Sequence, residues 1–277
     1  MRALYLTALF LASAAATPAF AQDQPGEFNG FYVGGSIGAT IQPGHDDETI
    51  LFDRNLDGTF GDTVTTAGGA NAFSNGFCGG SVTGPTQPAG GCDSEDRALE
   101  FSGRIGFDRQ MGNFVIGGIA EIGTTDAESS VTAFSITPAS YTFNRSIDYT
   151  ANLRVRAGVT VTPTTLLYAT AGGAYAKLDT SFATTNTVNG VVRDLDDDSF
   201  GFVLGGGVEQ KLGRNLSIGV EYLYQQFKDE STVRLVSQAG TPANNPFLLG
   251  NTSGTDFIRS DEDFNLHSIR AVVNFRF

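Results

Sequence analysis

The chain has 277 residues, 40% of them apolar and 17% charged, a balance that supports a packed fold and excludes disorder by composition. Its formal net charge of −13 argues against nucleic acid and anionic surfaces as partners. Beyond residue 22 no stretch approaches the ~20 continuous apolar residues of a membrane-spanning helix, so helical spanning is excluded.

Residues 1–21 carry Arg2, an apolar run over 3–12 and a small-residue site ending Ala19-Phe20-Ala21. That pattern is a cleaved secretory signal; a buried helix explains the run but not the charge and cleavage site. The mature chain is expected to start at Gln22, with no Cys there for a lipid anchor and a net charge of −14 once Arg2 is lost.

From there alternation dominates, as in strands with two unlike faces. Residues 30–42 place Phe31, Val33, Ile37, Ala39 and Ile41 on one face and Tyr32, Ser36 and Thr40 on the other. Residues 98–111 set Leu99, Phe101, Ile105 and Phe107 against Glu100, Arg104 and Asp108. A third strand, about 113–124, sets Phe114, Ile116, Ala120 and Ile122 against Glu121. The fourth, about 147–162, sets Tyr149, Leu153, Val155 and Val159 against Asp148, Asn152, Arg154 and Arg156. The fifth, about 166–178, has Leu and Ala on both sides and no readable facing. The sixth, 199–212, alternates Phe200, Phe202, Leu204 and Val208 with Glu209 and Lys211, and the seventh, about 215–227, Leu216, Ile218, Val220 and Tyr222 with Ser217 and Glu221. The last, SIRAVVNFRF, puts Ile269, Ala271, Val273, Phe275 and Phe277 opposite Arg270, Asn274 and Arg276.

The connections fall into two classes. Residues 110–113, 162–165 and 213–215 are tight turns, whereas about 43–97, 125–146, 179–198 and 228–263 are long. Short and long alternate, as antiparallel neighbours require when the two ends of a sheet face different compartments. An even strand number, unequal ends and apolar-out, polar-in alternation predict an all-β fold: a closed eight-stranded antiparallel transmembrane β-barrel with short periplasmic turns and long extracellular loops. A soluble barrel would have to bury the charged face. Residues 22–277 then form one domain whose first loop spans about 43–97.

The inward face collects Glu100, Asp108, Glu121, Glu209 and Glu221 with Arg104, Arg154, Arg156, Arg270 and Arg276. Eight strands enclose just enough space for side chains. A paired ion network that fills the lumen is therefore the leading expectation, and a narrow porin-like channel for small solutes is the alternative.

In the first loop, FDRNLDGTFGDT spaces Asp53, Asn55 and Asp57 before Gly58, as in a calcium loop. The twelfth position is Val64 instead of Glu, with Asp62 nearby; a metal-free Asp/Asn/Gly turn is the commoner explanation. No other cofactor is expected. Asp196, Asp197 and Asp198 read as a solvated loop edge. Cys78 and Cys92 lie in an exported Gly-rich segment and are expected to form one disulfide, with two free thiols as the alternative. His45 and His267 are the two histidines; His267 adjoins Ser268, but neighbours on a strand point to opposite faces, so no Ser-His dyad forms. Glycines near Gly172 and Gly205 complete no nucleotide fingerprint and read as strand glycines that ease packing. An enzyme is not expected.

The segments FNGFYVGGSIGA, SIDYTANLRVRAGVTVTPTTLLYATAGGAYA, FGFVLGGGVEQKLGRNLSIGVEYLYQQF and HSIRAVVNFRF together resemble the small outer-membrane β-barrel family of proteobacteria. Members are often called outer-membrane immunogenic or porin-family proteins, and the architecture is similar to the membrane domain of outer-membrane protein A. The resemblance implies a place in the bacterial outer membrane, contact with its lipid and lipopolysaccharide, and a monomer. It also implies that Ala271, Val273, Phe275 and Phe277 form the signal read by the barrel-assembly machinery. Because the sequence stops at Phe277, a periplasmic wall-binding domain is not expected. The implied role is structural or surface-directed, with adhesion or ligand binding through the loops as a further alternative.

Overall fold

The computed structural model describes residues 28–42, 47–82, 92–93, 97–137 and 139–277; the predicted signal segment and His45 lie outside them. Sixteen strands follow in chain order among these residues: β1 (Gly30–Ile41), β2 (Ile50–Asp53), β3 (Phe77–Gly79), β4 (Ser81–Val82), β5 (Cys92–Asp93), β6 (Arg97–Met111), β7 (Phe114–Thr125), β8 (Glu128–Ser135), β9 (Ala139–Thr162), β10 (Thr165–Thr184), β11 (Gly190–Asp194), β12 (Asp198–Lys211), β13 (Leu216–Lys228), β14 (Thr232–Val236), β15 (Thr255–Arg259) and β16 (Asp263–Arg276). A 3-10 turn covers Pro246–Leu248.

Eight of them close a barrel in the antiparallel order β1-β6-β7-β9-β10-β12-β13-β16, with β16 returning to β1. Closure leaves no spanning strand with unpaired backbone groups, which lipid would penalise heavily. The seam runs from Tyr32 opposite Arg276 to Ile41 opposite His267, and the Phe277 amide donates to the Phe31 carbonyl at 2.9 Å. The tight turns stand where expected. At the first, Gly112 takes φ +62° between Met111 and its partner Phe114, a conformation in which other L-residues are strained.

The outer wall is apolar and the aromatic residues gather at its two ends. Phe31 and Phe107 pack at 4.8 Å and Phe275 and Phe277 at 5.3 Å near the short turns. Tyr149, Tyr175 and Phe200 form a chain of contacts near the long loops, as do Phe202 and Tyr224. Two aromatic girdles flanking an apolar band are what a bilayer selects at its interfaces.

Two sequence expectations change. Asp148 is exposed, not inward: β9 pairs Lys177 with Tyr149 but Leu178 with Ile147, so Asp148 is the extra residue of a bulge. The bulge reverses the alternation and lets Tyr141, Phe143, Arg145 and Ile147 point inward above it. The facing of β10 is also resolved, with Leu166, Tyr168, Thr170, Ala174, Ala176 and Leu178 inside and Leu167 and Tyr175 outside.

The long loops fold as well. β9 and β10 rise above the upper girdle, β8 and β3 extend their sheet, and β11-β14-β15-β2 form a second sheet. Between them lies an apolar core that includes Phe52, Phe73, Tyr141, Phe143, Phe182, Phe247 and Phe257. The connections read from sequence only as long extracellular loops thus form a cap with a core of its own, because their apolar residues meet only when four loops come together.

Candidate functional site

All ten predicted lumen charges point inward and are buried, and they sort into two layers. In the upper layer the Glu121 carboxylate meets Arg104 at 2.6 Å, Arg270 at 2.8 Å and Arg154 at 3.0 Å. Glu221 meets the same three guanidinium groups at 2.9, 2.6 and 3.2 Å. Glu100, 3.4 Å from Arg270, also accepts from the hydroxyls of Thr40 and Ser268. In the lower layer Arg156 reaches Glu209 at 2.5 Å, and Arg276 reaches Asp108 at 2.8 Å. Three carboxylates face three guanidinium groups above, and two face two below, so each layer is neutral. Burying so many charges is tolerable only with this degree of mutual pairing and hydrogen bonding.

Tyr32 and Tyr168 complete the network and were not singled out from sequence. Arg156 lies 4.1 Å from the Tyr168 ring, and Arg276 lies 4.8 Å from that of Tyr32. The Tyr168 hydroxyl donates to Glu221 at 3.1 Å, joining the two layers. The available signal is pairing with glycine. Tyr168 stands between Gly158 and Gly207, Tyr32 beside Gly106, Arg154 beside Gly172 and Arg270 beside Gly38. A Cβ at Gly106 would collide with the Tyr32 ring, and one at Gly172 with the Leu153 carbonyl. Large inward groups fit because their neighbours are small, but those pairs are legible only once the register is known.

Above the charged layers the lumen is apolar, packed with Ile147, Leu178, Val203, Leu223, Phe227, Phe264 and Leu266. Below them Phe28, Val115, Leu166 and Tyr168 form another apolar cluster. Where Glu100, Thr125, Gln225, Leu266 and Arg270 meet, a cavity of about 10 Å³ remains, at the lower limit for one water molecule. A larger groove of about 850 Å³ lies on the outer wall over Gly103 and Gly173, bordered by Ile122, Leu153, Tyr175 and Phe200.

Between barrel and cap sits a polar collar. Arg259 binds both carboxylate oxygens of Glu48 at 2.7 Å and donates to Ser129. Arg145 donates to the carbonyls of Asp261 and Asp263, lies 3.6 Å from Asp229 and stacks 4.6 Å from Phe264. Burial, helped by repulsion from Arg259, pulls the Arg145 pKa down to about 10.

The other predicted positions are equally definite. Asp53 spends its carboxylate on the amides of Leu56, Asp57 and Gly58, at 2.6, 3.2 and 2.8 Å. Asn55 and Asp57 bond each other, and Asp62 accepts from the Arg54 amide. The hydrogen bond from Asn55 holds the Asp57 carboxyl below its usual range. Among the described residues no group of three or more His, Cys, Asp or Glu is arranged to hold a metal. Cys78 and Cys92 are joined in a disulfide with Cα atoms 6.1 Å apart, linking β3 to β5. Asp196 ties its loop to the connection between β13 and β14, its carboxylate accepting from the Glu230 amide and its amide donating to Ser231 Oγ, while Lys177 faces Asp197 and Asp198. Ser268 is inside and fully buried, whereas His267 bonds the outward Tyr222 hydroxyl at 2.6 Å. Ala271, Val273, Phe275 and Phe277 all lie on the outer wall.

The sequence from residue 7 to residue 277 matches the outer membrane protein β-barrel domain family. The chain belongs to that family. It is 24% identical over 229 residues to the 31 kDa outer-membrane immunogenic proteins of Brucella melitensis and Brucella suis, covering 78% of this chain and 85% of each relative. Among solved structures it is similar to Ail, the attachment invasion locus protein of Yersinia pestis, with 9% identity, 90% of this chain and 100% of that one covered, and a TM-score of 0.35. The outer membrane protease OmpT of Escherichia coli gives 10% identity, coverage of 90% and 97%, and a TM-score of 0.41. As a member of this family, with two aromatic girdles around an apolar band, the protein is an outer-membrane β-barrel of the bacterial envelope.

Proposed function

We propose that this outer-membrane barrel is non-conducting and acts as a membrane pedestal for its folded exterior cap, which meets the surroundings of the cell. The observation that carries this reading is the packing of the lumen: two layers of buried ion pairs between two apolar clusters, with a cavity of about 10 Å³ beside Arg270. A solute or ion crossing it would have to part guanidinium groups from carboxylates in a buried interior, at a cost of several kcal/mol for each broken pair. In this reading the chain works as a monomer in contact with outer-membrane lipid and lipopolysaccharide, and no catalysis is involved. Export removes residues 1–21, and the barrel-assembly machinery reads Ala271, Val273, Phe275 and Phe277 in the closing strand.

Single-channel recording of the refolded full chain in planar bilayers is the test. The expected record is silent; sustained openings would replace this reading with that of a narrow diffusion channel. Amino-terminal sequencing of the exported protein should begin at Gln22.

A further inference from the structure

The outer wall is not evenly filled. A groove of about 850 Å³ is sunk into it, crossing from Gly103, midway along β6, to Tyr175 and Phe200 in the upper girdle. Four registers carry it across: Gly103 stands opposite Ile122, Ile122 opposite Ala151, Ala151 opposite Tyr175, and Tyr175 opposite Phe200. At ~4.8 Å per strand that path is roughly 19 Å long. One leaflet contributes roughly 15 Å to the ~30 Å hydrocarbon core of a bilayer, so the groove is long enough for a single acyl chain.

Its floor is low because Gly103 and Gly173 have no side chain and Ala120 and Ala151 have short ones; a Cβ on either glycine would meet nothing within 4 Å. Its sides are high and open. Leu153 and Phe200 are 69% and 78% exposed, and Ile122 stands beside Leu153 on the same wall. Arg104 and Glu121 also border the groove, but their side chains turn into the lumen and pair at 2.6 Å. A chain lying in the groove touches floor and both sides, whereas one on the flat wall has protein atoms on one side only. Each added contact contributes little, but over a whole chain they favour a held lipid over a passing one.

The upper end of the groove is charged. Lys177 stands opposite Asp198, directly above Tyr175 and Phe200, and lies 3.4 Å from Asp198 and 3.7 Å from Asp197. Those two carboxylates remain 58% and 69% exposed, and Asp148 is exposed on the neighbouring strand. Three carboxylates thus surround one ammonium at the height of the headgroups. An anionic headgroup is repelled there. A quaternary ammonium matches the charge but has no N–H to donate, while a primary ammonium brings three donors for charge-assisted bonds. The phosphate of a zwitterionic headgroup can meet Lys177.

From the groove and its charged end together we infer that the barrel holds one outer-leaflet aminophospholipid in a fixed place, with an acyl chain over Gly103, Ala151 and Gly173 and a primary ammonium at Asp148, Asp197 and Asp198. This deepens the reading that the barrel is in contact with outer-membrane lipid, and rests on it.

The chain contains no Trp, so one introduced Trp reports on one place. Leu153→Trp, beside the groove, and Ile269→Trp, equally outward on β16 and away from it, are refolded into phosphatidylcholine vesicles. Phosphatidylethanolamine, phosphatidylglycerol or phosphatidylcholine with brominated chains, which quench Trp on contact, then replaces part of the host lipid at matched mole fraction. At Leu153→Trp the ethanolamine lipid should quench as if enriched several-fold over its mole fraction, and the other two in proportion to theirs. At Ile269→Trp all three should quench alike. Adding Gly173→Leu, which fills the floor, or Asp198→Asn, which removes a charge at the end, should abolish the enrichment. Unchanged heat-modifiable migration shows that the barrel is intact in each variant. Equal quenching by the three lipids at Leu153→Trp, enrichment of phosphatidylglycerol, or enrichment that survives both added changes overturns the inference. So does weaker quenching by every lipid at Leu153→Trp than at Ile269→Trp, which would show a second copy of the chain covering the groove. Quenching at Ile269→Trp with no preference at Leu153→Trp sinks this inference alone; no quenching at either position would sink the lipid contact on which it rests.

Discussion

Arg270 stands directly opposite Glu221 across β16 and β13, and their side chains meet at 2.6 Å in the buried centre of the barrel. The same carboxylate also holds Arg104 and Arg154, so this pair is the hub on which the neutrality of the upper layer depends. Truncating Glu221 to Ala leaves three guanidinium groups sharing two carboxylates. The expected loss is about 3–5 kcal/mol, read as a lower urea midpoint for the loss of the folded gel band. Replacing Glu221 and Arg270 together with Gln and Met should cost less than Glu221→Ala alone; a double variant weaker than that single one would contradict the pairing argument.

The cap should fail separately from the barrel. Phe73 is buried against Phe52 at 4.5 Å and touches Tyr141, Phe247 and Phe257, all outside the lumen. Phe73→Ala is expected to cost about 3–5 kcal/mol of cap packing and to open the exterior loops to limited proteolysis. Heat-modifiable migration should persist, and its disappearance would show that cap and barrel fold as one unit.

The outward Phe277, 5.3 Å from Phe275 and 56% exposed on the wall, tests the assembly role proposed for the last strand. Phe277→Asp should lower the amount of folded protein in the outer membrane several-fold while refolding into micelles changes little. Normal insertion in cells would remove Phe277 from that role.

The bond between Cys78 and Cys92 ties β3 to β5, two strands too short to hold register alone. Non-reduced exported protein should take up no alkylating reagent under denaturing conditions. A Cys78→Ser, Cys92→Ser double variant should lose about 2–4 kcal/mol of local stability, seen as faster cleavage near β5; two labelled thiols in the parent chain would refute the pairing in cells.

Calcium titration decides the use of the Asp53 turn. With the Asp53 carboxylate already accepting from three backbone amides, calorimetry should detect no binding heat, and chelator should leave proteolysis unchanged. Heat on titration, abolished by Asp57→Ala, would instead establish a calcium loop.

In every spanning strand but β10, alternation was readable from the sequence because a strand has a period of two residues and lipid accepts only an apolar face. It determined the eight spanning strands, the difference between the two ends, and the inward placing of the ten charges predicted for the lumen, from Glu100 to Arg276. Which charges pair was not readable. Arg104 meets Glu221 across 117 residues, and that contact depends on how eight registers add up around the barrel, to which local pattern is blind. One extra residue at Asp148 redirects everything above it on β9, and a bulge leaves no mark in an alternating sequence when the residues after it alternate as well. The cap was hidden for the same reason at longer range. Glu48 and Arg259 are 211 residues apart, and Phe52 packs on Phe257. In the chain each of these is a single residue in a polar loop; barrel closure brings the four loops over one opening, where burying their aromatic rings becomes favourable. The sequence by itself settled which face meets lipid in every spanning strand but β10, and the tertiary structure alone decided the facing of β10, what fills the lumen and what stands above it.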